Sequence, residues 1–252
     1  MADTTRKFYW KKQPPDFRDY KFKGSTWARR MLVRWGWYGS ADLRSSMPPV
    51  FDQGSLGSCT ANAITAAVIF ASKCQGLLSR LFLYWNERAA IGTTGYDSGA
   101  VIRDGLKSVV KQGSVPETAW PYAVTALTTP PPASLYIVAM KDLVVRYATV
   151  PQDLVSLRCA ILEGYPVVFG ISAFSSFFSD PNGNIPLPQP GEQLLGGHAI
   201  LLVGFDNSTK RFIFRNSWGE GWGQAGYGTI PYDYVTDPGL ASDFWVVERT
   251  TE

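Results

Sequence analysis

Histidine is almost absent from this chain: His198 is the only one in 252 residues. A site built on several imidazoles is therefore excluded, and so is a pH sensor built on a histidine cluster. Cysteine is scarce as well, with Cys59, Cys74 and Cys159 alone. Three cysteines close at most one bridge and do not supply a spaced zinc-ligand set, so the fold has to stand on its core; this suits a reducing compartment. Long apolar runs are missing too. Segments such as "AITAAVIFA" and "AILLV" fall short of the roughly 18 to 20 residues that cross a bilayer, so no membrane span is expected. The N-terminal stretch lacks the apolar core of a secretory signal, which gives the expectation of a cytoplasmic protein or one exported by another route.

What is present is an ordinary globular composition, 45% apolar and 18% charged, long enough for one large domain or two lobes. The net charge of +3 hides an asymmetry. Residues 1–46 carry 11 basic and 4 acidic side chains, and residues 47–252 carry 13 and 17. A basic leader thus precedes an acidic body. Such a leader could bind nucleic acid or an anionic surface, or be drawn to its own domain; the second is the simpler reading, and a nucleic-acid partner is not expected. Four of the nine tryptophans (Trp10, Trp27, Trp35, Trp37) fall in this leader, which predicts an ordered segment packed on something.

The pattern divides the remainder. "TANAITAAVIFASKCQG" is apolar around most of a helix circumference and predicts a buried helix that starts at or beside Cys59 and closes at Gly76. Further helices are predicted over Leu81–Ala90, over Ala100–Gln112 before Gly113, and in "PQDLVSLRCAILEGY" from Pro151. After "TTPPPASLY", the segments "MKDLVVRYATV", "PVVFGISA", "HAILLVGF", "RFIFRNSW", "GYGTI" and "FWVVER" read as strands. A helical half precedes a β half.

The chemistry-bearing residues fall at informative places. Cys59 follows the turn "GSLGS" and opens a helix, where the helix dipole favours a thiolate. His198 lies 139 residues later at the start of a strand, and Asn216 a further 18 residues on, at the end of the next strand across a hairpin. Adjacent antiparallel strands can bring those two side chains together, and a neutral amide can fix the imidazole tautomer. Cys74 and Cys159, inside apolar helical patterns, read as structural.

"DQGSLGSC", "GGHAILLVGF" and "NSWGEGWGQAGYG", in that order from about Ala41 to the C-terminus, resemble the papain family of cysteine peptidases. The resemblance implies an α+β, two-lobed fold: a helical lobe at about 41–140, an antiparallel, barrel-like β lobe at about 141–252, and the active site in the cleft between them. It implies Cys59 as nucleophile, His198 as base and acid, Asn216 orienting His198, Trp218 shielding that hydrogen bond, and Gln53 donating to the oxyanion with the Cys59 N–H. No cofactor or metal is implied. The substrates implied are peptides or proteins, with Gly99 of "DSGA" and Gly197 at the substrate backbone and Ser242 or Asp243 at the floor of a specificity pocket. Gly99 also reads as a turn before a helix. Asp243 selects basic side chains if it points into the pocket and leaves apolar ones preferred if it is solvated.

Four positions depart from the family pattern. Leu56 stands in place of a disulfide cysteine, Thr60 in place of a tryptophan, Gly197 in place of a carboxylate or amide, and Ala100 in place of a second glycine. The family is commonly made as a zymogen. Residues 1–40 are accordingly expected to be an intramolecular inhibitor, with "PPDFRDYKF" supplying extended backbone and aromatic anchors; the competing expectation is a permanent part of the fold that blocks nothing. A ligase or transamidase using the same acyl-enzyme, and a binding protein on this scaffold, are the alternatives to hydrolysis.

Overall fold

The computed structural model describes residues 6–33, 39–140 and 146–248. Trp35 and Trp37, and the first part of the strand expected in "MKDLVVRYATV", lie outside the described residues. The chain forms α1 (Thr26–Val33), β1 (Ser40–Asp42), α2 (Cys59–Ser72), α3 (Arg80–Ala90), α4 (Ile102–Gln112), α5 (Ala133–Val138), β2 (Arg146–Thr149), α6 (Leu154–Leu162), β3 (Val167–Phe174), β4 (Leu194–Asp206), β5 (Arg211–Arg215), β6 (Tyr227–Pro231), α7 (Tyr232–Thr236) and β7 (Ala241–Glu248). Helices predominate before residue 140 and strands after it, with β1 ahead of the helices and α6 and α7 among the strands.

α2 is buried on almost every face. Its alanines keep the helix thin, so Ile64 and Val68 reach Leu201, Val203 and Trp245 of the sheet in one continuous core. Burial of this kind stabilises by about 25 cal/mol per Å² of apolar surface removed from water. The helix stops at Ser72 rather than at Gly76, because Lys73 itself takes the left-handed cap conformation and returns its N–H to the Ile69 carbonyl. α6 starts at Leu154 rather than Pro151, because the Asp153 side chain caps it by accepting from the Ser156 N–H at 2.8 Å.

The strands pair antiparallel in the order β2-β7-β3-β4-β5-β6, and β1 adds to the far end of β4. The ladder is an open path with β2 and β6 at its ends rather than a closed barrel. β4 is long enough to pair with β3 through its first half and with β5 and β1 through its second. Along β4, Ala199, Leu201 and Val203 join the core with α2, whereas His198 lies on the other face beside Phe177 and Trp218, with Asn216 just beyond the end of β5. A second core, holding Phe169, Phe205, Phe212 and Phe214, fills the opposite face under α6.

The leader is ordered where described, and it has two different parts. Residues 6–13 lie across the junction of the lobes, where Trp10 is buried. Residues 20–33 pack on the β lobe: Lys21 bridges Thr149 of the β2 edge, Phe22, Ala28 and Leu32 join the β-lobe core, and α1 packs on α6. "PPDFRDYKF" anchors only at its end, through Phe22. Phe17 is 94% exposed and Tyr20 67% exposed, and the docking aromatics are Phe8, Tyr9 and Trp10 instead.

Candidate active site

Cys59 is the first residue of α2 and is fully buried. His198 is equally buried, and its Nε2 lies 2.8 Å from Asn216 Oδ1. An amide oxygen only accepts, so Nε2 carries the proton. Nδ1 then remains as the acceptor, and it has no hydrogen-bond partner. The same Asn216 oxygen accepts from the Ser217 N–H at 2.8 Å, which fixes the amide. Trp218 covers the pair, with its ring centroid 5.1 Å from the imidazole. Gln53, also fully buried, accepts from the Ser217 hydroxyl at 2.6 Å through Oε1. Its Nε2 donates to the Leu56 carbonyl at 2.8 Å and reaches the Lys7 carbonyl at 3.4 Å. His198, Asn216 and Gln53 are thus linked through Ser217, and the Cys59 sulfur lies at the N–H of Ala199, the chain neighbour of His198.

Burial governs the protonation states. It pushes the Cys59 thiol up to about 11, while the backbone N–H groups of Ala199, Tyr9 and Thr60 at the sulfur oppose the shift. It pushes His198 down to about 4, against the Asn216 hydrogen bond. Thiol and imidazole are both neutral near pH 7 in this conformation.

Residues 6–13 produce that burial. The Phe8 ring meets the His198 imidazole and the Trp218 indole edge-on, both at 5.7 Å. The Trp10 N–H donates to the Gly197 carbonyl at 2.8 Å, and the Lys11 N–H to the Ala100 carbonyl at 3.0 Å. Arg6 pairs with Asp52, and Lys7 with Asp97 at 2.6 Å, so the basic leader meets acidic residues of the helical lobe. Gly99 sits at φ +68° under the Tyr9 carbonyl, where a side chain would overlap that oxygen. The departure at Ala100 does not disrupt this edge, since the alanine contributes its carbonyl.

Asp243 does not project free into a pocket: Oδ2 accepts the Gln13 N–H at 3.0 Å. Burial still raises its carboxyl to about 6, against that hydrogen bond and the charges of Lys12 and Arg103. Ser242 stands opposite Gly170 across the β3–β7 ladder. Gly170 is a site residue not anticipated from the sequence. The Trp10 indole occupies the space that any side chain at 170 would fill. A lone glycine inside the strand pattern "PVVFGISA" was the available signal, because such glycines mark close approach.

Glu87 of α3 was also unanticipated, and no sequence signal marks it. It is fully buried behind α2 and accepts from Thr60 Oγ1 at 2.8 Å. Thr60, where the family commonly has a tryptophan, thus serves this carboxyl. Burial pushes Glu87 from 4.5 up to about 8. Between those pH values the unfolded chain releases a proton that the folded chain keeps, so stability is lost as pH rises through the window. Glu87→Gln should therefore unfold at a higher temperature than the parent at pH 8, by roughly 5 °C or more, with the gap closing below pH 4.5. Thermal unfolding at several pH values checks this; an equal or lower midpoint at pH 8 refutes it.

The profile described as papain family cysteine protease matches residues 39–246. The chain belongs to the papain family of cysteine proteases. Xylellain, a cysteine protease from Xylella fastidiosa, superposes with a TM-score of 0.88 at 35% identity over 97% of this chain and 96% of that one. An uncharacterized peptidase C1-like protein of Acanthamoeba polyphaga mimivirus is 42% identical over 217 residues, 80% of this chain and 70% of that protein. Digestive procathepsin L 3 of Tenebrio molitor superposes with a TM-score of 0.65 at 25% identity, over 83% of this chain and 69% of its own. Ananain of Ananas comosus is 30% identical over 212 residues, and the chain spans 58% of its length. The two-lobed α+β papain-like fold is the one expected from the motifs. No helix among the described residues is long and apolar enough to cross a membrane.

Proposed function

We propose that this papain-family chain is a cysteine endopeptidase held closed by residues 6–13 of its own leader. The observation that supports this most is the convergence of Cys59, His198, Asn216 and Gln53 under Phe8, Tyr9 and Trp10. When the cleft is open, Cys59 gives its proton to His198 Nδ1 and the thiolate attacks the substrate carbonyl carbon. Gln53 Nε2 and the Cys59 N–H receive the oxyanion; each such donor is typically worth about 2.7–4 kcal/mol. His198 then protonates the departing amine, leaving a thioester, and activates the water that hydrolyses it. Asn216 holds the ring throughout, under Trp218. Substrate backbone runs along Gly99 and Gly197, and the second side chain on the acyl side of the scissile bond enters the pocket floored by Gly170 and Ser242, with Asp243 at its rim.

In the closed state the leader uses the same groups. Its Lys7 carbonyl takes the Gln53 donor, its Trp10 N–H takes the Gly197 carbonyl, and the Tyr9 N–H faces the sulfur where a substrate presents a carbonyl carbon. The Tenebrio relative is a proform by its description, which accords with a zymogen reading.

The test is hydrolysis of a mixed fluorogenic peptide library, under reducing conditions, by the full-length chain and by a chain lacking residues 1–13, each beside its Cys59→Ala form. The shorter chain is expected to be the faster, with no turnover in either Cys59→Ala protein. Equal rates remove the inhibitory role; silence in both removes the peptidase reading. Adding an amine acceptor and analysing the products separates hydrolysis, which we expect, from transamidation.

A further inference from the structure

Gln53, Cys59 and Asn216 reach the lobe junction from separate stretches of chain: a loop, the first turn of α2, and the residue just beyond β5. The residue immediately ahead of each is Asp52, Ser58 and Arg215. All three lead back to one side chain, Arg80, at the first position of α3. Arg80 Nη1 donates to the Asp52 carbonyl and to Asn62 Oδ1, both at 3.1 Å. Asn62 carries the second bond on to Ser58, with Nδ2 2.9 Å from the Ser58 carbonyl and 3.0 Å from its hydroxyl. The Arg80 guanidinium also lies 4.6 Å from the centroid of the Phe51 ring, and the Arg215 guanidinium lies 4.7 Å from the same centroid.

The surroundings hold Arg80 in one pose. Glu117 Oε1 accepts from Nη2 at 3.1 Å, and the Tyr122 ring covers the guanidinium at 4.2 Å. The Tyr122 hydroxyl donates to the Gln53 carbonyl at 2.9 Å and meets Ser58 Oγ at 2.5 Å, which closes the circuit. A planar fork serves carbonyl, amide, carboxylate and ring faces at once, where an ammonium does not. Arg215 is 3% exposed, and among the described residues no carboxylate pairs with it. Its charge is met by the Pro48 and Pro49 carbonyls, each at 2.5 Å, and by the Phe51 ring. A desolvated guanidinium gains most from a ring face. Two like charges at one buried ring also repel, so the arrangement favours a role in position over one in stability.

We propose that Arg80 is a positioning residue for the peptidase reaction: through Asp52, Asn62 and Phe51 it sets Gln53, Cys59 and Asn216 at one spacing across the lobe junction. It touches neither substrate nor the reacting atoms. The Gln53 N–H donates to the Ser217 carbonyl and the Gly219 N–H to the Phe51 carbonyl, both at 2.9 Å, so the two loops are already joined to each other. Arg80 registers that joined pair against α2, and so aims the Gln53 amide and the Asn216-held imidazole at the sulfur. The inference rests on the peptidase reading and names what keeps its parts in register.

The test compares the full-length chain with three variants of it. Arg80→Lys keeps the charge and loses the fork, Phe51→Leu keeps apolar bulk and loses the ring face, and Leu157→Val disturbs the β-lobe core away from the junction. Two rates are read on each: peptide hydrolysis, as kcat and KM, and iodoacetamide alkylation followed at the Cys59 peptide by mass. Alkylation needs access to the thiolate but neither an oxyanion donor nor a proton for a leaving amine, so the ratio of the rates cancels any change in leader opening. Misplacement of about 1 Å at a reacting centre costs roughly a hundredfold, so the ratio is expected to fall about tenfold or more in Arg80→Lys and Phe51→Leu, through kcat rather than KM. In Leu157→Val it should stay at the parent value. A ratio unchanged in both junction variants, or an equal fall in Leu157→Val, overturns the proposal. His198 adds a readout that needs no turnover. As the single histidine it gives one imidazole Nε2–H signal in 15N-histidine-labelled protein, and exchange of that proton with water is expected to quicken about tenfold in Arg80→Lys but not in Leu157→Val. If no form cleaves peptide while exchange responds in this way, the peptidase reading fails and the link from Arg80 to His198 stands. If every form cleaves alike and exchange is the same in all, the positioning role fails and the peptidase reading stands.

Discussion

Trp10→Ala is expected to raise peptide hydrolysis by the full-length chain about a hundredfold. The indole is 8% exposed and lies against Gly170 and Ala100, and under the autoinhibition proposed above it contributes only to the closed arrangement. Truncating a buried tryptophan typically costs about 3–5 kcal/mol. Each 1.36 kcal/mol is a factor of ten in an equilibrium, so the open fraction should rise by at least two decades until opening saturates. Only the fraction of open enzyme binds substrate, which makes the rate follow the population. Initial rates on fluorogenic peptides measure this. If Trp10→Ala left the full-length rate unchanged, the segment over Cys59 would not be what restrains it.

The second large effect concerns the thiol. With Cys59 pushed up to about 11, roughly one molecule in ten thousand carries the thiolate at pH 7 in the closed form. Removing Phe8, Tyr9 and Trp10 lets water reach both groups. Burial then no longer opposes charge, and the α2 N-terminus and a protonated His198 both favour the thiolate. Alkylation of Cys59 at pH 7 should accelerate about a thousandfold or more on opening, with its pH midpoint falling by several units. The linkage runs in both directions. From pH 6.5 down towards 4, His198 takes up a proton more readily when uncovered, so acid favours the open form. From the lowered open-form midpoint up to about pH 11, the uncovered Cys59 has lost a proton that the covered one keeps, so alkali does the same. Closure is strongest between these limits. Alkylation by iodoacetamide across pH 4–10, before and after deletion of residues 1–13, checks it; superimposable profiles would show that the leader does not set the state of the thiol.

Much of the site was legible because its chemistry is local. A cysteine opening an apolar helix, a lone histidine at the head of a strand and an asparagine after the next one are patterns of short range, and β4 and β5 deliver the last two as neighbours. The position of the covering segment was less so. Charge asymmetry and four tryptophans indicate that the leader docks, yet aromatic content does not say which rings find a surface: of the three aromatics in "PPDFRDYKF" only Phe22 is buried. Phe8 and Trp10 find His198 and Gly170, which are far away in sequence, whereas Phe17 finds solvent. Asp243 was undecidable for the same reason: its partner is the Gln13 backbone, some 230 positions earlier. Glu87 is written nowhere in a pattern, since a buried carboxyl on a helix is defined only by the Thr60 hydroxyl that meets it.

The three cysteines turn the molecule into its own tally of what covers it. Cys74 is partly exposed in the resting chain, Cys59 lies under residues 7–10, and Cys159 lies against Gly24 and Phe22 in the β-lobe core. Brief alkylation followed by intact mass should add one label to the resting protein and two once residues 6–13 leave. A third label should appear only when residues 20–33 come away as well. Each mass increment therefore names the piece of leader that has gone, without any mutation or probe being introduced.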